Sequence, residues 1–331
     1  MSLAPSGRTL IVQPLPGIGD MVWHLPHIHA IAGTTIEGRV DILTKPRSQA
    51  DSLLCADPHV GRVLWVERVA GRHGGVRGLQ RLAALLRREK YQRAWFLHAS
   101  ARYVLAARLA GIPERIGYGI GVQSLLLSRS MSLPAALKHK HPIFKADALL
   151  EELGVARAEP EPRLVVDVGA AAAVANRFAA WPAPWIALGI GSSEPWKQWG
   201  AVRFAELALE LHRQQAGSIF IVGGPAERPL ADDILARVRT GGGVAVDAVA
   251  LPLEQTAALL AGCRAYVGND TGVLNIAAAV QVPAVGLFGA SPPLVHSRFI
   301  DAVLPLSGTT GMAAITIPRV LDALASLNLN P

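Results

Sequence analysis

Short apolar runs alternate with stretches of helical spacing along most of the chain. TLIVQ, residues 9–13, reads as a buried strand; the turn PLPGIG follows, and Met21, Val22, Leu25 and Ile28 then recur on one helical face behind Asp20. The same alternation predicts strands at 39–44, 61–67 and 93–98 and helices at 80–90 and 101–110. A short turn and strand is expected at 112–117, then an irregular, basic stretch from 119 to 142 and a helix at 146–153. Pro, Glu and Ala dominate from 158 to 184, which reads as a connector holding the domain boundary. Beyond it, strands are expected at 186–190, 218–222, 244–246, 265–268 and 284–288, with helices at 202–215, 229–239, 253–261, 273–280 and 318–327. Strand and helix in turn predict an α/β chain with mostly parallel sheets covered on both faces.

The chain has 331 residues, enough for two such domains. The expected division is 1–165, 166–315 and a last helical segment, 316–331. Two open sheets joined by one connector would leave a cleft, with ligands bound beyond the carboxyl ends of the strands. Net charge is +7 and aromatic residues are 5% of the chain, a balance that suits an anionic small ligand or an acidic membrane surface better than nucleic acid. Cys55 and Cys263 form no disulfide framework or metal-ligand spacing, so a reduced, cytoplasmic compartment is expected. The early apolar run does not have the form of a signal peptide, and no stretch is apolar for long enough to span a bilayer.

Chemistry is therefore sought in the loops after strands. In PGIGD, Val22 stands where a dinucleotide fingerprint has its third glycine, and Asp41 begins its strand where a ribose-binding acid would end one. Asp20 is either the N-cap of the next helix or a carboxylate general base that takes a proton from an attacking hydroxyl, with Gly19 beside it facing the acceptor. In GIGSSEPWKQWG, Ser192 and Ser193 offer donors and Lys197 a mobile cation for a leaving diphosphate; the alternative is a solvated loop. Its spacing is not that of a Walker A loop. In GGPAE, Glu227 either accepts from ribose hydroxyls or a base, or is a first-turn acid favoured by the helix dipole.

GNDTGVLNIAAAVQVP, from Gly268 to Pro283, combines a strand end, a tight turn and an Ala-rich helix. Thr271 adds a hydroxyl and Gly272 removes bulk, so an anion could approach the backbone there, unless the turn is an ordinary capped helix start. Asp270 is an N-cap or an acceptor for a ligand hydroxyl. Ser291 in GASPP closes a phosphate pocket or makes a turn. Lys138, His139, Lys140 and His141 form a basic patch that could hold an acidic acceptor or be a solvated face. His24, His27 and His29 do not share one helix face, so no metal site is expected.

Five segments in order resemble glycosyltransferase family 9, the ADP-heptose:lipopolysaccharide heptosyltransferases: PGIGDMVWHLPHIHAI, AGIPERIGY, GIGSSEPWKQW, GGPAE and GNDTGVLNIAAAVQVPAVGLFGASPP. The resemblance covers nearly the whole chain. It implies a GT-B fold of two Rossmann-like doubly wound domains facing across a cleft. The first would bind the acceptor and the second a nucleotide-sugar, with the final helix crossing back to the first. It further implies inverting transfer of a sugar from ADP-heptose to a lipopolysaccharide-core or related anionic glycan acceptor, without a cofactor or metal. The acceptor would be met at the cytoplasmic face of the inner membrane.

By the same resemblance Asp20 would be the base, and Ser192, Ser193 and Lys197 would hold the diphosphate. Glu227 would hold the nucleoside, and Asp270, Thr271 and Gly272 the sugar and phosphates. The candidate donor site further takes in Asn275 and Ser291, and the candidate acceptor site Gly19, Lys138 and Lys140. Asn275 stands where the family signature has histidine, and Gln13 and Pro14 where it has a basic residue. A nucleotide-sugar-binding protein without catalysis, a GT-B transferase with another donor and a nucleotide-sugar epimerase are the alternatives.

Overall fold

Every residue of β1 (Thr9–Val12) is buried, as an unbroken apolar run requires of a strand covered on both faces. The computed structural model describes residues 3–67, 72–131, 133–137, 139–293, 297–306 and 308–327. The chain divides into two compact units, one ending at Pro162 and the other beginning at Arg163. After β1 the first unit runs α1 (Ile18–Trp23), α2 (Leu25–Ala32), β2 (Val40–Thr44), α3 (Ala50–Leu53), β3 (Val60–Trp65) and α4 (Gly75–Glu89). It continues β4 (Arg93–Phe96), α5 (Ala101–Ala110), β5 (Glu114–Gly117), β6 (Arg129–Ser130) and α6 (Pro142–Glu152).

The second unit runs α7 (Val168–Arg177), β7 (Trp185–Gly189), α8 (Ala201–Arg213), β8 (Ser218–Gly223), α9 (Arg228–Thr240) and β9 (Val246–Val249). It ends with α10 (Leu253–Ala261), β10 (Cys263–Asn269), α11 (Gly272–Ala279), β11 (Ala284–Leu287), β12 (Ile300–Val303) and α12 (Ile317–Ser326). The two sheets are six-stranded, in the orders β3-β2-β1-β4-β5-β6 and β12-β11-β10-β7-β8-β9. Counted within each unit these are one topology, and neighbouring strands pair in parallel. Strand order reverses between β1 and β4 in the first sheet and between β7 and β10 in the second. Loops leaving those strands diverge to opposite faces and open a crevice where ligands of doubly wound sheets bind.

Four local features differ from the sequence pattern. α7 lies inside the stretch read as a connector, because the run AAAAVANR outweighs the prolines on either side; Asp167 caps it by accepting from the Ala170 N–H at 2.7 Å. α4 begins at Gly75, and β12 adds an edge strand that its short sequence did not signal. The opening helix starts at Ile18 and breaks at His24, after which the next helix starts at Leu25 with Pro26 in its first turn. Asp20 is accordingly the third residue of α1 and not its N-cap.

α12 buries Val320 and Leu324 in the second unit's core, beside Phe204 of α8 and Val303 of β12. Its apolar face is thus used within that unit. Among the described residues no helix is long and apolar enough to cross a membrane.

Candidate active site

At the switch point of the second sheet, loops from three strands meet through side chains. Lys197, in the loop after β7, donates from Nζ to Oδ2 of Asp270 at 3.1 Å, and Ser291, after β11, donates its hydroxyl to the same oxygen at 2.7 Å. Asp270 is not an N-cap: Thr271 holds that position on α11, and Asp270 instead ties the two neighbouring loops together. Lys197 and Asp270 are 20% and 29% exposed, and an ion pair so placed contributes about 0–1 kcal/mol. A doubly charged diphosphate can therefore compete with Asp270 for the ammonium group.

The loop that carries Lys197 is fixed from below by Asn269, the fully buried last residue of β10. Its amide nitrogen donates to the carbonyls of Ile190 and Gly191 and to Oε1 of Gln198, at 3.2, 3.0 and 3.0 Å. Its oxygen accepts from the Trp199 N–H at 3.2 Å. The Trp199 indole in turn donates to the Ile315 carbonyl at 2.9 Å, which anchors the loop's far end in the core. The sequence pattern placed Asn269 in the tight turn; the available signal for its role was a polar residue directly closing the apolar run 265–268, where burial demands partners.

Thr271 makes no side-chain cap, so its hydroxyl is not committed to the first turn of α11. It lies beside the phenol of fully buried Tyr266, at an approach that falls short of a well-formed hydrogen bond. Burial pushes that phenol's pKa up, and it stays protonated. Gly189 and Gly268, register partners on β7 and β10, leave the space this ring end occupies; a Cβ on either would collide with it. Asn275 is half-buried on α11, and Gly272 opens that helix.

Glu227 follows β8 and uses one carboxylate oxygen to accept from the Gly224 N–H at 2.8 Å. Its carboxyl group borders Gly191, where a Cβ would stand at ordinary contact distance, 3.8 Å, from it. Ser192 is turned inward, donating to the Glu194 carbonyl at 2.7 Å, while Ser193 is exposed. Lys197, Asp270 and Ser291 are thus joined directly, and Glu227 and Thr271 belong to adjoining loops. Neither the Ser192 nor the Ser193 hydroxyl joins the Lys197–Asp270–Ser291 cluster.

The first unit presents a different arrangement after β1. Asp20 accepts from the Gly17 N–H at 3.1 Å, closing the turn of PGIGD. Burial raises the pKa of its carboxyl group, opposed by that hydrogen bond and by the charges of His141 and Lys45. The backbone carbonyl of Asp20 accepts from Gln13 at 3.3 Å and from His24 Nδ1 at 2.6 Å. His24 is fully buried, and desolvation and its neighbour His27 lower its pKa to about 3, so it is a neutral donor here. Gln13, also fully buried, uses its amide to set the height of the Asp20 turn.

His141 caps α6, and desolvation lowers its pKa although the Asp20 charge works the other way. The structure thus links one member of the basic patch to Asp20; Lys140 is exposed, and Lys138 lies outside the described residues. Gly19 sits in the first turn of α1 next to Asp20. Lys45, at the end of β2, was not anticipated, although a cation closing a strand is the signal that would have found it. The three early histidines separate: His27 bonds Asp147 and His29 bonds Asp57, both at 2.8 Å.

The model of the family described as Glycosyltransferase family 9 (heptosyltransferase) matches residues 79–304. The chain belongs to that family. As a family 9 member it is a glycosyltransferase of the heptosyltransferase type, built on the GT-B architecture. It is 30% identical over 277 residues to lipopolysaccharide heptosyltransferase 2 of Salmonella typhimurium, covering 75% of this chain and 78% of that one. A family 9 glycosyl transferase from Veillonella parvula superposes with a TM-score of 0.82 at 18% identity, covering 98% of this chain and 97% of the other. ADP-heptose lps heptosyltransferase II of E. coli superposes at 0.77 with 23% identity, covering 96% and 97%. The family match includes Lys197, Asp270 and Ser291 but begins after Asp20.

Proposed function

We propose that this family 9 enzyme transfers heptose from ADP-heptose to a lipopolysaccharide-core or related anionic glycan, with inversion at the anomeric carbon and without a metal. The observation that carries this is the Lys197–Asp270–Ser291 cluster beside the uncommitted start of α11, at the switch point of the second sheet. The names of the Salmonella and E. coli relatives support the donor and the acceptor.

In this reading the acceptor hydroxyl gives its proton to the Asp20 carboxylate as its oxygen bonds to the anomeric carbon. The bond from that carbon to the diphosphate breaks, and ADP leaves with the added negative charge. Lys197 and the N–H groups at the start of α11 balance that charge, a contribution that grows as the bond breaks and so lowers the barrier. Ser291 and Asp270 hold Lys197 in place and accept from sugar hydroxyls; Glu227 accepts from the ribose. Gly19 leaves room for the acceptor, and Lys140 and Lys138 attract its anionic groups. The acceptor is a membrane glycolipid met at the cytoplasmic face of the inner membrane.

Asn275 favours a second reading, a nucleotide-sugar-binding protein without turnover, because an amide in the first turns of α11 cannot become a cation as the family histidine can. Calorimetric titration with ADP, UDP and GDP, with and without EDTA, tests the donor. Preference for ADP that survives EDTA supports the proposal, and preference for UDP or GDP moves the donor. Transfer from ADP-heptose to a core acceptor dismisses the second reading, whereas nucleotide binding without product establishes it.

A further inference from the structure

Residues 68–146 contain 15 Lys and Arg but only two acids, Glu89 and Glu114, leaving 17 basic against 23 acidic residues elsewhere. The basic surplus of the whole chain thus comes from one part of the first unit. Both acids are already compensated: Glu89 pairs with Arg8 and Arg62, and Glu114 with Arg93 and Arg129.

Part of this surplus lies at the carboxyl end of the first sheet. α4 and α5 pack side by side, and Arg102 at the start of α5 donates to the carbonyls of His73 and Gly75, at 2.8 and 2.6 Å. The starts of the two helices are therefore neighbours. The 3-10 turn Gly121–Leu125, after β5, joins them, since Gln123 donates to the His98 carbonyl just ahead of α5 at 2.8 Å. Arg72, Arg77 and Arg81 are exposed on this rim. Three aliphatic side chains stand out from it: Val76, Val122 and Leu125 are 73, 67 and 79% exposed.

We infer that this rim docks the enzyme on an anionic lipid bilayer, the arginines lying against headgroups and Val76, Val122 and Leu125 entering the interface. Charge complementarity selects the partner: cations with no acid between residues 68 and 88 attract an anionic surface, each adding a similar increment of affinity. The protruding side chains select lipid over nucleic acid, because Val and Leu offer hydrocarbon and no ring on which bases stack. The rim lies at the same end of the sheet as the Asp20 loop, so docking presents that loop toward the membrane. The inference rests on the proposal that the acceptor is a glycolipid.

The test is co-sedimentation of the full chain with phosphatidylglycerol vesicles and with phosphatidylcholine vesicles across a salt series. Binding is expected to phosphatidylglycerol alone and to weaken as salt rises. Arg77→Ala with Arg81→Ala, and separately Val122→Glu with Leu125→Glu, should each weaken it by about tenfold or more. Absence of binding by the parent chain, or parent-like binding by both double variants, overturns the inference. So does an oligonucleotide bound as tightly as phosphatidylglycerol and unaffected by the Glu pair, since the rim would then be a site for soluble polyanions. Turnover on a deacylated acceptor is measured alongside. Vesicle binding without turnover sinks the proposed reaction and keeps the docking rim; turnover without vesicle binding does the reverse.

Discussion

The two units share one topology yet equip their switch points in opposite ways. In the second, Lys197, Asp270 and Ser291 reach one another from three loops, and buried Asn269 pins the Lys197 loop with four hydrogen bonds. In the first, a single carboxylate is held by its own turn, and its backbone carbonyl is supported by Gln13 and neutral His24. The difference fits the chemistry proposed for each end. Stabilising a leaving diphosphate needs charge fixed before the reaction starts, whereas a general base needs a carboxylate whose ionised form is not over-stabilised. Burial supplies the second condition at Asp20, and a cross-loop network supplies the first at Lys197.

The largest effect expected from breaking this division is at Asp20. Asp20→Ala should lower kcat by roughly 10²–10⁴-fold, the range a positioned base contributes, and leave ADP affinity nearly unchanged in calorimetry. Ordinary turnover by that variant would remove Asp20 from the mechanism. Lys197→Ala should cost somewhat less, roughly 10²–10³-fold in kcat, but must also weaken ADP, because Asp270 then faces the diphosphate without its cation. Unchanged ADP affinity in the Lys197 variant would mean that the cluster does not meet the phosphates.

Asn269→Ala should come next. Its loss leaves the Trp199 N–H without its acceptor and the Gly191 carbonyl without its donor, while the Ile190 carbonyl keeps Gln198, a cost of about 1–3 kcal/mol that thermal unfolding would register. The loop bearing Lys197 loosens with it, so the KM for donor rises while that for acceptor holds. A rise in both, or in neither, would show that Asn269 supports the unit generally and not the donor loop.

These contrasts mark what could be read from the chain beforehand. Strand, glycine turn and helix are local patterns, so both switch-point loops were legible, as was the tight turn ahead of α11. Asp270 was read as an N-cap or an acceptor for a ligand hydroxyl because those are the roles a local window offers; the partners that make it a tie between loops lie 73 residues before it and 21 after it. Asn269 looked like a turn residue for the same reason, since its value depends on which loop follows the neighbouring strand β7. α7 was missed for the opposite cause, an alanine run whose helix propensity was discounted among prolines. The nearness of Lys45 and His141 to Asp20 depends on which strand lies next to β1 and where α6 packs, neither of which is written in any one segment.

The smallest effects concern the charge on Asp20 and are the most diagnostic of how the first site works. Burial is the largest influence and raises its pKa, so the acid limb of kcat/KM should lie above the usual carboxylate range. Lys45 favours the ionised form, so Lys45→Met should move that limb to still higher pH without lowering the plateau. A shift to lower pH, or none, would mean that another group titrates. The same perturbation has a stability counterpart. Because the folded pKa exceeds the unfolded value of 3.8, ionising Asp20 disfavours the fold; the penalty is absent below pH 3.8 and complete once pH has risen past the folded pKa. Asp20→Asn keeps an acceptor for the Gly17 N–H and removes the charge, so its Tm should exceed that of the parent near neutrality and converge with it below pH 3.8. An inactive variant that is also more stable only where Asp20 would be ionised ties the lost activity to the buried charge itself, whereas a uniform gain at all pH values would assign the stabilisation to packing.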